Sequence, residues 1–160
     1  MLAEPAARCQ RRPGALTPAD DLNRVKGVDS AIKEARAMSV SAMKGFFSLD
    51  EIPEEKVTPL ITRKLVTGEK EMVVLWKAKA GAHAAAHRHP HEQIFWMLSG
   101  KMKFRVGDEV RTCGPGDLCV IPGGVEHEAW WLEDTEVIDI FAPPREDFLT
   151  GGPPAYMREG

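Results

Sequence analysis

The five histidines of this chain are confined to two places. Four lie in the stretch AHAAAHRHPHEQ, as His83, His87, His89 and His91, and the fifth is His127. Neutral imidazole is a common protein ligand for divalent transition metals. The crowding therefore predicts a metal site. We expect His83 at the surface, and His91 either beside the site or at the surface.

The spacing of these residues suggests how they meet. Alternate residues of a strand face the same way, so His87 and His89, with Cα atoms about 6.6 Å apart, are predicted to converge on one ion. Gln93 has the same parity but would lie roughly 20 Å from His87 on a straight strand. Pro90 supplies the necessary bend because it cannot donate to a sheet ladder. His127 arrives from a distant strand. The predicted ligands are His87, His89, Gln93 and His127.

The ligand types set the character of the metal. Three imidazoles and an amide oxygen are all neutral, so a bound divalent ion keeps its full charge, whereas Glu in place of Gln93 would cancel one unit. The ion is therefore expected to be a stronger Lewis acid toward a substrate oxygen. Mixed nitrogen and oxygen ligands suit Fe²⁺, Mn²⁺, Ni²⁺ or Zn²⁺. One such ion is the predicted cofactor.

Short β-rich runs must position these residues. From Val57 onward, runs such as EMVVLWKAKA, EQIFWMLSG and TEVIDIFA alternate with glycine-containing turns, and no helix-length pattern interrupts them. This pattern is typical of an antiparallel sandwich or barrel, of which the jelly roll is one form. We predict an all-β domain over residues 46–160. Residues 1–45 form an N-terminal extension, with one short helix over 29–38, disorder before it, and Met43 as a candidate natural start.

Strand parity predicts which side chains line the interior. If Gln93 faces inward, then Phe95 and Met97 do so too and become candidates for the substrate pocket. Plain core packing is the alternative role for both. The outward-facing set on the same strand is Ile94, Trp96 and Leu98.

A second group of candidate residues lies near the C-terminus, in VIDIFAPPREDFLTG. Asp139 and Phe141 share one face of a predicted strand, and Arg145 follows. Arg recognises carboxylates through paired hydrogen bonds, and Asp can transfer protons. Together they could bind and convert a carboxylate-bearing substrate. In the alternative, an Asp139–Arg145 pair fastens the C-terminal tail.

Two motifs resemble those of the cupin superfamily. GAHAAAHRHPHEQIFWMLSG, residues 81–100, resembles the first cupin motif, with Gln93 where the commonest version has Glu. GDLCVIPGGVEH, residues 116–127, resembles the second, and Trp131 stands where that motif ends in Asn. The resemblance implies a small single-domain type 2 cupin with a jelly-roll β-barrel. It adds Trp131 to the predicted substrate pocket.

The ending D-x-F-x-P-x-R-E-D-F, beside HxHPHEQ, resembles the pectin-degradation cupins, which convert unsaturated uronates to the open-chain keto sugar acid. The resemblance implies a metal-dependent lyase or isomerase in which Asp139, Phe141 and Arg145 act with the metal. Two alternatives stay open. One is an Fe(II)-dependent dioxygenase, with an aromatic pocket that includes Trp131. The other is a non-catalytic cupin that binds a sugar or another metabolite.

Composition narrows the range of expected binding partners. The formal net charge is −3 and the pI is near 6.0, so no basic field attracts nucleic acid or anionic lipid. A small-molecule substrate is predicted, and neither nucleic acid nor membrane. Three cysteines without a CxxC spacing indicate a reducing compartment and a cytoplasmic location. The outward apolar residues Ile94, Trp96 and Trp130 predict a homodimer, with cover by the N-terminal segment as the alternative.

Overall fold

The computed structural model describes residues 42–150 and 153–157. All of the described residues belong to one compact unit. The helix predicted over residues 29–38 lies outside the described residues. The described chain joins the sheet at Met43, whose backbone N–H donates to the Thr67 carbonyl at 2.8 Å.

Two antiparallel sheets make up the described part of the chain. Its ten strands are β1 (Glu54–Thr58), β2 (Ile61–Thr67), β3 (Met72–Ala78), β4 (His83–His87), β5 (Glu92–Ser99), β6 (Met102–Val106), β7 (Glu109–Cys113), β8 (Leu118–Ile121), β9 (His127–Trp131) and β10 (Thr135–Ala142). One sheet has the order β1-β2-β3-β10-β5-β8 and the other β4-β9-β6-β7. The short helices are a 3₁₀ helix at Leu49–Glu51, α1 at Glu146–Leu149 and a 3₁₀ helix at Ala155–Met157.

The core lies between the facing sheets. On β5, Phe95 and Met97 are 1% and 0% exposed, whereas Trp96 and Leu98 are 46% and 38% exposed, which confirms the predicted parity. Phe95 meets Phe104 of the other sheet edge to face, with ring centroids 4.7 Å apart. Two sheets that bury their inner faces against each other form the predicted jelly roll.

The strand carrying the first histidines is shorter than expected. β4 ends at His87, and His89 lies in the connection to β5. The expectation that His87 and His89 share one strand is therefore wrong, because the chain leaves the ladder directly after His87. Strands β1 and β2 are separated by a turn in which the Leu60 N–H donates to the Thr58 hydroxyl at 3.1 Å.

The outer side of the six-stranded sheet is apolar across four neighbouring strands. We call this surface the apolar outer face; its residues are Val73, Ile94, Trp96, Leu98, Leu118, Val120, Ile138 and Ile140. Trp130 is not part of it. That residue lies on the four-stranded sheet, stacked on the ring of His83 at 5.5 Å. Among residues 42–150 and 153–157, no helix is long and apolar enough to span a membrane.

Candidate metal centre

The described residues bring three histidines together between the two sheets. His87 ends β4 and His127 begins β9, and the two are direct partners in the ladder, with ring centroids 4.2 Å apart. His89 reaches over from the β4–β5 connection, 4.9 Å from the His127 ring. The ligand nitrogens of all three lie within 4.8 Å of one another. We call them the three-histidine cluster.

Glycines of the second motif fix the loop that carries His89. The Gly124 N–H donates to the His89 carbonyl at 2.7 Å. A Cβ atom added at Gly123 would lie 2.1 Å from the Pro90 carbonyl oxygen, so only glycine fits this contact. The two motifs are therefore physically joined, because one holds the backbone from which the other presents a ligand.

Backbone carbonyls orient all three imidazoles. Each ring places its Nδ1 at a carbonyl oxygen: His87 at Ala85, 2.8 Å; His127 at Val125, 2.9 Å; and His89 at His91, 3.1 Å. A carbonyl only accepts, so we assign the hydrogen of each neutral ring to Nδ1. Nε2 is then left with a free lone pair. This is the arrangement in which outer groups prepare histidines for a metal.

The Nε2 atoms of His127 and His89 lack a hydrogen-bond donor. His127 is 2% exposed, and its Nε2 has no hydrogen-bond partner among the described residues. His89 Nε2 faces Gln93 Oε1 at 3.1 Å, which places two acceptors opposite each other. Burial, reinforced by neighbouring positive groups, lowers the pKa of His87 to about 3 and of His89 to about 4, and burial also lowers the pKa of His127. Neutral, converging acceptors fit a divalent cation.

Gln93 connects this cluster to Asp139. The amide of Gln93 hydrogen-bonds the Asp139 carboxyl, while its Oε1 faces His89. Trp76 donates its indole N–H to Asp139 Oδ2 at 2.8 Å. Burial raises the pKa of Asp139 to about 7, against the opposing effect of both hydrogen bonds. A carboxyl that titrates near neutral pH can both accept and donate a proton. Nothing in the sequence singled out Trp76.

Arg145 is buried beside the site and carries a partner that was not predicted. Its Nε and Nη2 donate to the Asp147 carboxylate at 3.0 and 2.6 Å. Its guanidinium covers the Phe148 ring at 4.2 Å, and its Nη1 donates to the Tyr156 hydroxyl at 3.4 Å. The alternative in which Arg145 pairs with Asp139 is therefore wrong about the partner. The ion pair joins Arg145 to the first turn of α1.

A cavity of about 40 Å³ lies between the sheets at this point. Phe95, Trp131 and Phe141 line it, together with His87, Gln93, His127, Asp139 and Tyr156. Met97 is buried in the core and is not among the lining residues. The indole N–H of Trp131 is buried without a partner in the described part of the chain. It is therefore available to donate to an oxygen atom inside the cavity.

The two remaining histidines differ from each other. His91 is 6% exposed, its carbonyl bonds the His89 ring, and its own Nε2 contacts Glu146 at 3.1 Å. Of the two predicted locations, His91 therefore occupies the one beside the site. His83 is exposed and pairs with Glu128 at 2.8 Å, as a surface histidine was expected to be.

Comparison with known proteins agrees with this architecture. A family model described as the cupin domain matches residues 74–141. The pectin degradation protein KdgF of Dickeya dadantii is 33% identical over 110 residues, 67% of this chain and 100% of that protein. The structure of KdgF from Halomonas sp. superposes with a TM-score of 0.62 at 37% identity, covering 65% of this chain and 99% of that one. An RmlC-like cupin from Shewanella frigidimarina gives a TM-score of 0.65 at 25% identity, covering 69% and 99%. This chain therefore belongs to the cupin family, and within that family it is similar to the pectin degradation protein KdgF.

Proposed function

We propose that this cupin is a metal-dependent lyase or isomerase that acts on a small sugar acid, with an unsaturated uronate as substrate. One observation carries the proposal: a carboxyl group with a pKa near 7, Asp139, lines the same cavity as His87, His127 and Gln93. Perturbed acids beside a candidate metal centre are typical of active sites. The similarity to a pectin degradation protein supports the sugar-acid substrate.

His87, His89, His127 and the amide oxygen of Gln93 would hold the divalent ion, with Fe²⁺, Mn²⁺, Ni²⁺ and Zn²⁺ as candidates. When bound, the ion supplies Lewis acidity that polarises a substrate oxygen. The protein's contribution is orientation. Gln93 fixes the distance between the ligand cluster and Asp139, because its amide contacts both.

We assign Asp139 the transfer of a proton during conversion of the ring to the open-chain sugar acid. Ring opening of an unsaturated uronate breaks the hemiacetal C–O bond, and the hemiacetal hydroxyl loses its proton. The resulting enol gains a proton at carbon. Because no atoms are gained or lost, the reaction is an isomerisation. Ionised Asp139 accepts the first proton and then returns it to carbon. A pKa near 7 suits both halves of this transfer.

Two further residues complete the proposed site. Phe141, 1% exposed, provides an apolar wall that limits access of water to the reacting carbon. Arg145 binds the substrate carboxylate through Nη1, the nitrogen that Asp147 leaves available. Its guanidinium is held over the Phe148 ring, so its direction is fixed before substrate arrives.

The proposal is tested with purified protein loaded separately with each of the four metals. We expect that unsaturated galacturonate loses its conjugated ultraviolet absorbance faster than in buffer, and that a chelator abolishes the acceleration. Saturated galacturonate serves as the control. No acceleration with any metal would remove this substrate. Oxygen uptake with Fe²⁺ would favour the dioxygenase, and binding without turnover would favour the non-catalytic module.

We further propose that the apolar outer face is covered by a second copy of this chain. Val73, Trp96, Leu98, Leu118 and Val120 remain 38–62% exposed. Together they present on the order of 500 Å² of apolar surface, a large part of the roughly 800 Å² per partner found in standard interfaces. The face extends to β8, the edge strand of its sheet. A two-fold contact would bury the same residues on both copies.

A charge placed on this face should separate the copies. We expect the wild-type protein to sediment as a dimer and Trp96→Glu as a monomer, because the dimer would have to bury an unpaired carboxylate. Leu132→Glu is the matched control, since Leu132 is 48% exposed and lies after β9, at the end of the other sheet. Analytical ultracentrifugation distinguishes the two states. A wild-type monomer would contradict the proposal and direct attention to cover by residues 1–41.

A further inference from the structure

Tyr156 forms part of the cavity wall beside the three-histidine cluster. Its ring lies parallel to the His87 ring, with centroids 3.5 Å apart and an interplanar angle of 6°. Its hydroxyl accepts a hydrogen bond from Arg145 Nη1 at 3.4 Å. Tyr156 therefore contacts one residue of the candidate metal site and the residue proposed to bind the substrate carboxylate.

The same tyrosine separates two spaces. Behind it lies the cavity of about 40 Å³, and in front of it lies an outer cleft of about 250 Å³ whose walls include Thr58 and His83. Tyr156 and Met157 line both spaces. The inner cavity is much smaller than the roughly 300 Å³ at which pockets for small molecules begin. Tyr156 therefore takes up space beside the cavity that a sugar acid would need.

Withdrawal of Tyr156 would solve this problem of size. The inner cavity, the outer cleft and the volume of the phenol ring would then form one space, of the size of a small-molecule pocket, for which about 300 Å³ is the lower limit. The segment carrying Tyr156 is short. Its last turn is closed by the Met157 N–H, which donates to the Pro154 carbonyl at 2.9 Å.

We propose that residues Pro153–Met157 form a displaceable lid and that Tyr156 occupies the substrate's place in the closed protein. The phenol ring covers His87. Its hydroxyl accepts the hydrogen bond from Arg145 Nη1 that would otherwise go to the substrate carboxylate. Substrate and Tyr156 therefore compete for the same groups. When the lid opens, the outer cleft with Thr58 and His83 becomes part of the binding pocket. The class of ligand, a sugar acid, rests on the proposed function, whereas the covering of His87 does not.

Chemical labelling tests the lid without substrate. The full-length chain, stripped of metal so that Nε2 is free, is treated with diethyl pyrocarbonate, and carbethoxylation of His87 relative to exposed His83 is measured by tandem mass spectrometry. We expect Tyr156→Ala to raise this ratio about tenfold, because the cavity becomes accessible. Tyr156→Phe retains the stacked ring and should stay within about twofold of wild type. Circular dichroism confirms that each variant folds. An unchanged ratio in folded Tyr156→Ala would overturn the lid.

Kinetics test the competition. With unsaturated galacturonate, Tyr156→Ala should lower KM about tenfold and leave kcat within about twofold, because a competing group has been removed. A higher KM or a collapse of kcat would overturn the proposal, since Tyr156 would then be a substrate contact. If the wild-type protein does not turn this substrate over, the proposed function fails, and the labelling result still decides whether Tyr156 covers the site.

Discussion

Replacement of Asp139 with Asn is expected to lower turnover of an unsaturated uronate by about 100- to 10,000-fold, the range associated with loss of a general acid or base. The amide has nearly the same shape as the carboxyl, and the indole N–H of Trp76 can still donate to its oxygen. Packing and metal content should therefore be preserved. The loss should be in kcat, because Asp139 exchanges a proton only during the reaction.

The wild-type pH profile provides a second measure of this role. Burial raises the pKa of Asp139 to about 7, so without metal the carboxyl is about half ionised near neutral pH. A nearby divalent ion favours the ionised form and moves the pKa downward. Because the first step requires ionised Asp139, activity should fall as the pH drops below the pKa of Asp139 in the metal-loaded protein. This fall should be absent from the pH profile of the residual activity of Asp139→Asn.

Asp134→Asn is the matched control. Asp134 is exposed and paired with Lys79 at 2.7 Å, and it is not among the residues that line the cavity. The Asp134→Asn variant should have a kcat within about twofold of the wild-type value, because most surface substitutions have small effects. If Asp139→Asn keeps wild-type turnover while Asp134→Asn behaves as expected, Asp139 has no part in proton transfer. A proton acceptor elsewhere in the cavity would then be required.

The structure indicates a second role for the neutral side chain of Gln93. On the sequence alone, its neutrality predicted a more electrophilic metal. The fold adds that its amide lies between the three-histidine cluster and Asp139. Glu at this position would place two carboxyl groups against each other and raise the pKa of at least one of them. Neutral Gln93 therefore suits both the proposed metal and the proposed proton carrier.

Strand parity is the part of the fold that sequence predicted best. Phe95 and Met97 point inward because a slip of one residue would expose both of them and bury Trp96 and Leu98. Parity cannot tell the wall of a cavity from the core beneath it, however. Phe95 lines the cavity, whereas Met97, two residues later, does not. The difference depends on depth between the sheets, which alternation along one strand does not encode.

Local sequence patterns could not predict the contacts between strands that are distant in the chain. Trp76 reaches Asp139 because β3 and β10 are neighbours, although the two residues are 63 positions apart. The end of β4 at His87 likewise follows from its pairing with His127. Tyr156 carried no signal, since a tyrosine in a short tail is unremarkable in sequence. The resemblance to cupin motifs pointed to the three histidines that the fold brings together, because such motifs encode long-range pairing implicitly.

The largest effect on binding is expected at His127. Its Nε2 is a buried acceptor without a partner in the described part of the chain, and its ring contacts those of His87 and His89. Substitutions in an outer shell already cost about 10- to 100-fold in metal affinity, so loss of a direct ligand should cost at least about 100-fold. His127→Ala should therefore be isolated essentially without metal.

Metal content measured by inductively coupled plasma mass spectrometry tests the centre directly. After exposure to Fe²⁺, Mn²⁺, Ni²⁺ or Zn²⁺ and removal of excess ion, wild-type protein should retain about one ion per chain for at least one of them, because three convergent imidazoles can bind a transition metal. The control variant His83→Ala should match it, because His83 is exposed and bonded to Glu128. His127→Ala should retain less than about a tenth of that amount. Equal metal in His127→Ala and wild type, or no retained metal in the wild-type protein, would contradict the three-histidine centre.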